Sequence, residues 1–278
     1  MNLFDLIDKP PKSVLGEPLL NADADLGAQK STARLILAGG RGSRLGLGPK
    51  ALIEVAGQKL IDYFLESKVE TFVMCAQESL DAIQSAAPGA FCFAQEELAL
   101  LDERGSVCGF APCGNGDAFA ALGRAGLLEQ ITADRLVVYP IDNPLGLRAE
   151  PLLARGIGDV LIAAVPSIQN ELAGGLVEVE GKVRVVEYLH AKDQPHWINT
   201  GIYSLDMNFV RGVFKEPLPI HPVQKEGLWK FEKFLFDAFA YARESQALGF
   251  EREEIFCPIK CPADLDKFAS AHQSVTIE

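Results

Sequence analysis

Residues 35–50 read LILAGGRGSRLGLGPK, an apolar run followed by five glycines, two arginines and a lysine. These residue types suit polyphosphate chemistry. Gly39 and Gly40 let backbone pass close to a ligand. Backbone N–H groups in such a turn point at phosphate oxygens, and Arg44 and Lys50 bring cations to them. Two phosphate loops fail on this stretch. A Walker A loop needs GK followed by Ser or Thr, whose hydroxyl holds magnesium. Here Gly48 is followed by Pro49, Lys50 and Ala51. A dinucleotide loop needs GxGxxG, and Leu45 stands where the last glycine belongs.

The flanking elements must position that loop. RLILA (34–38) predicts a buried strand, ended by glycine. KLIDYFLESKVE (59–70) predicts a helix, ETFVMCA (70–76) a strand and SLDAIQSAA (79–87) a helix. AFCFAQ (90–95) predicts a strand, DAFAALGRAGLLEQ (117–130) a helix, and RLVVYPID (135–142) and DVLIAAVP (159–166) further strands. Strands alternating with helices argue for a mainly parallel, doubly wound sheet. LVEVEGKVRVVEYL (176–189) reads as an antiparallel hairpin turning at Glu180-Gly181-Lys182, and INTGIYSLD (198–206) as a strand. LWKFEKFLFDAFAYARE (228–244) reads as an amphipathic helix with Phe231, Leu235, Phe236 and Phe239 on its apolar face. EIFCPIK (254–260) reads as a last strand. The expected organisation is a lead-in over residues 1–30 and one α/β domain over 31–278 with a mixed sheet. The pattern is α/β over about 31–145 and more mixed over about 146–278.

The whole chain bounds the function. Its 278 residues are 48% hydrophobic and 23% charged, which are globular values. A net charge of -12 argues against nucleic acid as a partner, because phosphate backbones reward clustered Lys and Arg. A few local cations still make a basic pocket for a small anionic substrate. The six cysteines contain no CxxC pair, and the four histidines lack zinc-type spacing. Free thiols point to a reducing compartment. No apolar segment suggests a leader or a membrane span, so a cytoplasmic protein is expected.

LAGG, then Arg44, then Pro49-Lys50 resembles the signature of the sugar-nucleotide pyrophosphorylases. PCGNGDAF (112–119) narrows this to the UDP-sugar pyrophosphorylases, and best resembles the UDP-N-acetylhexosamine branch. YPIDNPL (139–145), VVEYL (185–189), INTGIYSLD (198–206), HPVQKEGLWKFEKFLFDAF (221–239) and CPIK (257–260) resemble further segments of that family, in family order. The resemblance spans residues 34–262. It implies a Rossmann-like nucleotidyltransferase fold of GT-A type. It places Leu37, Ala38, Gly39, Gly40, Gln95, Gly114, Asn115 and Gly116 on the nucleotide. Glu187 and Asn199 would face the sugar, and Lys225 a phosphate. Asp142, just after a strand, would hold Mg2+, a hard cation that prefers oxygen.

The resemblance also implies a reaction: UTP and a sugar 1-phosphate give UDP-sugar and pyrophosphate. The sugar's own phosphate oxygen attacks the α-phosphorus in line, so no covalent enzyme intermediate is needed. Arg44 and Lys50 would hold the leaving pyrophosphate. Lys233 and Lys260 would clamp the incoming phosphate or the α-phosphoryl group. N-acetylglucosamine 1-phosphate is the expected substrate. Glucose 1-phosphate, another nucleotide, and a non-catalytic UDP-sugar-binding module are the alternatives.

Overall fold

Alternation along each apolar run sorts side chains onto two faces, and both faces are covered. In strand β1 (Thr32–Ala38), Ile36 and Ala38 join one core and Ala33 and Leu35 the other. A strand buried on both faces reads as a continuous apolar run. The chain is described here by a computed structural model covering residues 20, 26–40, 46, 48–65, 68–169, 171, 173–187, 195–225 and 227–273.

A small hairpin, β2 (Glu54–Val55) and β3 (Gln58–Lys59), follows β1. Then come β4 (Thr71–Cys75), β5 (Phe91–Ala94), β6 (Glu97–Leu101), β7 (Val107–Pro112), β8 (Arg135–Pro140) and β9 (Val160–Pro166). The remaining strands are β10 (Gly175–Val179), β11 (Lys182–Val186), β12 (Trp197–Asp206), β13 (His221–Lys225), β14 (Leu228–Glu232) and β15 (Ser245–Gly249).

The central sheet has nine strands. Its parallel core runs β8-β1-β4-β5, and β12 lies antiparallel between β8 and β9. Parallel β15 extends the sheet beyond β9, while the β10–β11 hairpin joins at the start of β12. The helices at Leu60–Leu65, Leu80–Ala86 and Ala263–Gln273 cover one face through Phe64, Ile83 and Phe268. The helices at Ala118–Arg124 and Met207–Val213 and the 3-10 segment Leu235–Tyr241 cover the other through Phe119, Val210 and Phe239. This is the mixed, mainly parallel α/β architecture that the sequence suggests.

Arg135 fastens β8 to β12. Fully buried, it donates to the Ser204 hydroxyl (2.6 Å), the Ser204 carbonyl (2.7 Å) and the Gly158 carbonyl (3.1 Å). Burial pushes its guanidinium down to about 10.

The hairpin at 176–189 forms as read. Glu180 (φ 54) and Gly181 (φ 74) make its turn, with Val179 opposite Lys182. Both central residues take positive φ, as a type I′ turn requires. Tyr188 and Leu189 lie outside the described residues.

Three elements differ from the sequence reading. The amphipathic helix expected over 228–244 is instead strand β14 followed by the 3-10 segment Leu235–Tyr241. Residues 228–232 pair with β13, and Trp229 with Leu101 of β6, so cross-strand partners override the helical spacing. Gly227 (φ 76) turns this hairpin, and Lys230 meets Glu232 on one strand face at 2.6 Å. The strand expected over 254–260 is a short helix, Arg252–Ile255, followed by extended chain without a ladder partner. The last strand of the sheet is instead β15. The helix expected over 117–130 ends at Arg124, because Gly126 (φ 68) takes the left-handed conformation that terminates helices.

Strands β13-β14-β6-β7 form a separate antiparallel sheet. In each of the two larger sheets the strands before residue 145 lie together on one side and those after it on the other, meeting at the β8–β12 and β6–β14 pairs. Among the described residues no helix is long and apolar enough to cross a membrane.

Candidate active site

In a parallel sheet ligands bind beyond the carboxyl ends of the strands. Here those ends carry Gly39 after β1, Gln95 after β5 and Asp142 after β8. The start of β12 reaches the same edge because that strand runs the other way.

Lys50 opens a 3-10 turn, Lys50–Leu52, entered through Pro49 (φ -59), which carries no N–H for the turn to satisfy. The Lys50 ammonium donates to Asp142 Oδ2 at 2.6 Å and to the Ile259 carbonyl at 3.3 Å. The Ile259 N–H in turn donates to the Asp142 carbonyl at 2.7 Å. A residue early in the chain, a strand end and a late segment therefore close one ring. The two charged side chains are 18% and 21% exposed, so solvent screens the pair only partly.

Asn143 holds the late segment in place. It is fully buried, donates to the Ile255 carbonyl and accepts from the Cys257 N–H, both at 2.9 Å. Sequence reasoning missed this residue, because an Asn before Pro reads as an ordinary turn. Lys260 follows Ile259 directly and is exposed. Its backbone N–H is held by Asp264 at 2.9 Å.

Gln95 packs on the glycine pair. Its amide nitrogen donates to the Gly39 carbonyl at 3.0 Å, and a Cβ on Gly39 would overlap that amide. The Gln95 amide oxygen is buried, without a hydrogen-bond partner among the described residues. Leu37 and Ala38 close β1, and the Leu37 carbonyl accepts from the Ile141 N–H at 3.2 Å, which ties the loop's base to Asp142. Arg44 lies outside the described residues.

The Gly114-Asn115-Gly116 turn docks on residues 233–235. Gly114 takes φ 92, and a Cβ there would sit 2.6 Å from the Lys233 carbonyl oxygen. The Gly116 N–H donates to that carbonyl at 2.9 Å, and the Asn115 side-chain oxygen accepts from the Leu235 N–H at 2.9 Å. Lys233 therefore sits on the glycine turn, and its ammonium meets Glu96 at 3.2 Å. The backbone of Lys225 pairs with Leu228, and its side chain lies outside the described set.

Asn199 and the charge of Glu187 both act on the Tyr203 hydroxyl. Asn199 donates to the Tyr203 hydroxyl at 2.8 Å. Burial, and to a lesser extent the Glu187 charge, raise the Tyr203 hydroxyl above its ordinary range. Asn199 is aimed by a bulge: the β12–β9 register shifts between Asn199 and Tyr203, with Gly201 at φ 79. Tyr203 and the part-buried pair His221–Asp237 (2.8 Å) lie within segments that the sequence singled out, but nothing local marked these side chains as partners.

Glu96, Cys113 and Asp117 place ligand atoms within 4.8 Å of one another. Asp117 is already committed to Arg124 (2.5 and 3.1 Å) and to the Glu96 N–H (2.7 Å), so this group is an ion-pair anchor for the loop. Burial pushes the Cys113 thiol up to about 12, and Asp117 adds to this; Cys75 is likewise raised to about 12 by burial. All six cysteines are free, with Cys108 and Cys261 exposed. Because the thiolate is the nucleophile, iodoacetamide should modify Cys108 and Cys261 well before Cys75 and Cys113. Peptide mass spectrometry over a time course checks this order, and early labelling of Cys113 would contradict it.

A glycine-rich strand end, a lysine on an aspartate at the adjacent strand end and an antiparallel strand beside them suit a polyphosphate ligand. The MobA-like NTP transferase domain family matches residues 34–155. The chain is 26% identical to "Probable UDP-N-acetylglucosamine pyrophosphorylase" of Encephalitozoon cuniculi, over 88% of this chain and 83% of the relative. It is 28% identical to the human UDP-N-acetylhexosamine pyrophosphorylase-like protein 1, over 62% of this chain but 42% of that protein. In fold it resembles a point mutant of UDP-glucose pyrophosphorylase from Leishmania major, solved in complex with UDP-glucose (TM-score 0.71, 18% identity, 94% of this chain and 72% of that one). Over residues 34–155 the chain thus resembles the NTP transferase domain family, and the relatives and structural neighbours it matches are named UDP-sugar pyrophosphorylases or pyrophosphorylase-like proteins.

Proposed function

We propose that the chain transfers a uridylyl group from UTP to a sugar 1-phosphate, with N-acetylglucosamine 1-phosphate as the substrate. The observation that carries this reading is the Lys50–Asp142 contact at the carboxyl ends of β1 and β8, beside the Gly39-Gly40 loop. A cation and a carboxylate at that edge suit a magnesium nucleotide.

The base preference rests on Gln95. With its nitrogen engaged by Gly39, its amide oxygen is left to accept. The ring N3 of uracil carries a hydrogen and that of cytosine does not, so an acceptor facing N3 favours UTP over CTP.

Asp142 fits magnesium. It offers hard oxygen donors at a strand end and already holds one cation, the Lys50 ammonium, at 2.6 Å. Magnesium usually takes one or two protein carboxylates and completes its shell with substrate phosphates and water. Bound there, it would neutralise charge on the reacting phosphates.

The chain's own residues would do the rest by positioning and charge. A phosphate oxygen of the sugar 1-phosphate attacks the α-phosphorus. The new P–O bond forms as the bond to pyrophosphate breaks. Lys50, with Arg44, meets the charge gathering on the leaving pyrophosphate. Lys233 and Lys260 meet the incoming phosphate, with Lys225 as a further phosphate contact. Glu187 and Asn199 would bind sugar hydroxyls, with Asn199 held by the buried Tyr203 hydroxyl. Free thiols throughout support a reducing, cytoplasmic setting.

Pyrophosphate release from a panel of nucleotides and sugar 1-phosphates tests this reading. UTP with N-acetylglucosamine 1-phosphate should give the highest kcat/KM. Preference for glucose 1-phosphate would overturn the sugar, and preference for CTP or GTP would overturn the base. Binding of UDP-sugar without turnover on any sugar phosphate would leave a binding module.

A further inference from the structure

We propose that Lys50 is a displaceable counter-ion of Asp142. It holds the carboxylate oxygen that a divalent cation would take and leaves it for the nucleotide's phosphates, so cation binding at Asp142 is coupled to nucleotide binding. This rests on the nucleotidyltransferase reading of the site.

The geometry carries the argument. The Lys50 ammonium sits 2.6 Å from Asp142 Oδ2, a distance at which no second cation can share that oxygen without strong repulsion. Among the described residues neither side chain makes another ion pair. The Asp142 main-chain carbonyl is taken by the Ile259 N–H at 2.7 Å, and Lys50's other acceptor is the neutral Ile259 carbonyl at 3.3 Å. Asn143 cannot relieve the aspartate, since its amide is spent on Ile255 and Cys257. Only one bond to a charged group therefore holds Lys50 in place. Both side chains remain about one-fifth exposed, so a ligand can reach them.

A polyphosphate offers Lys50 a denser negative charge than one carboxylate does. Once Lys50 turns to it, the Asp142 oxygens face solvent and phosphate together and accept a divalent cation. The coupling is reciprocal: whatever the nucleotide adds to cation affinity, the cation adds to nucleotide affinity. Lys50 thus serves two states of the site, guarding the carboxylate in one and holding phosphate in the other.

Manganese binding to the full chain, followed by the spin-resonance signal of free Mn2+ without nucleotide, tests this. Wild type should bind Mn2+ weakly. Lys50→Met should bind it about tenfold more tightly, the scale of one screened like-charge contact removed. Lys50→Arg, which keeps the charge, should stay near wild type. The double variant Lys50→Met with Asp142→Asn should lose the gain. Unchanged Mn2+ affinity in Lys50→Met overturns the proposal, and so does a gain that survives Asp142→Asn. Circular dichroism of each variant shows that it is folded. Because the readout needs no turnover, a chain that fails to use any nucleotide but shows this pattern would retire the functional reading and keep the cation exchange.

Discussion

Lys50→Ala should lower kcat for UDP-sugar formation by about 10²–10³-fold, the range seen when one preorganised charge partner of a transition state is removed. The ammonium can be delivered to the phosphates because its stem leaves a 3-10 turn capped by Pro49, so the backbone need not move. Charge shifts towards pyrophosphate as the α-phosphorus is attacked, and a cation there stabilises the transition state more than the ground state. The loss should therefore fall on kcat and on kcat/KM alike. Steady-state kinetics with UTP as varied substrate check this. A variant with wild-type kcat and a raised KM would demote Lys50 to ground-state binding. Lys50→Arg should recover part of the rate, since it restores the charge with different geometry.

Gly116→Ala should damage both stability and activity, whereas Gly40→Ala should leave stability near wild type. A Cβ at Gly116 would lie 2.6 Å from the Lys233 carbonyl carbon and 2.7 Å from the Phe234 nitrogen, both backbone atoms. They cannot rotate away, so the turn or the 233–235 segment must shift. Overpacking of this kind costs about 1–3 kcal/mol. The shift also breaks the Gly116 N–H bond to the Lys233 carbonyl and moves the Lys233 ammonium off its site. A Cβ on Gly40 meets nothing within 4 Å, and Gly40 takes no positive φ. Thermal denaturation should show a drop of several degrees for Gly116→Ala and little for Gly40→Ala. Equal melting temperatures for the two would mean that the 112–119 turn is not pinned as described. Activity separates the variants further, because Gly40 faces the proposed phosphate path and Gly116 the lysine that meets it.

The two variants probe different kinds of glycine. Gly40 would, in the proposed reaction, serve the ligand by leaving room for a phosphate. Gly116 serves the protein, allowing two backbones to touch. The PCGNG stretch looks like a ligand loop in sequence, yet Asn115 spends its side-chain oxygen on the Leu235 N–H. The stretch is thus first a brace that carries Lys233, and whatever faces the nucleotide does so from that brace.

Much of the fold was legible in the sequence. Apolar runs such as RLILA and DVLIAAVP could only be strands buried on both faces, and their alternation with helices implied a parallel sheet. Glu180-Gly181 announced its own hairpin, because turn chemistry is local. The phosphate loop was equally local: Ala51 and Leu45 excluded two alternatives without any knowledge of neighbours. What misled was pattern without partner. Residues 228–244 have helical spacing, but the chain at 97–101 and 221–225 offered ladder partners to 228–232. The late segment 254–260 has strand-like residues but met no strand to pair with.

The sequence by itself thus determined the fold class, the strand-end loop and the types of residue at the site. Only the tertiary structure decided that Lys50 rests on Asp142, that Asn143 pins the chain carrying Ile259, that Gln95 leans on Gly39, and that Asn199 donates to Tyr203. The physical reason is range. Backbone preference and apolar period act over a few residues, and a single sequence displays them. The 2.6 Å contact between residues 50 and 142 depends on β1 and β8 lying side by side in one register, which is settled by the whole sheet closing over its two cores.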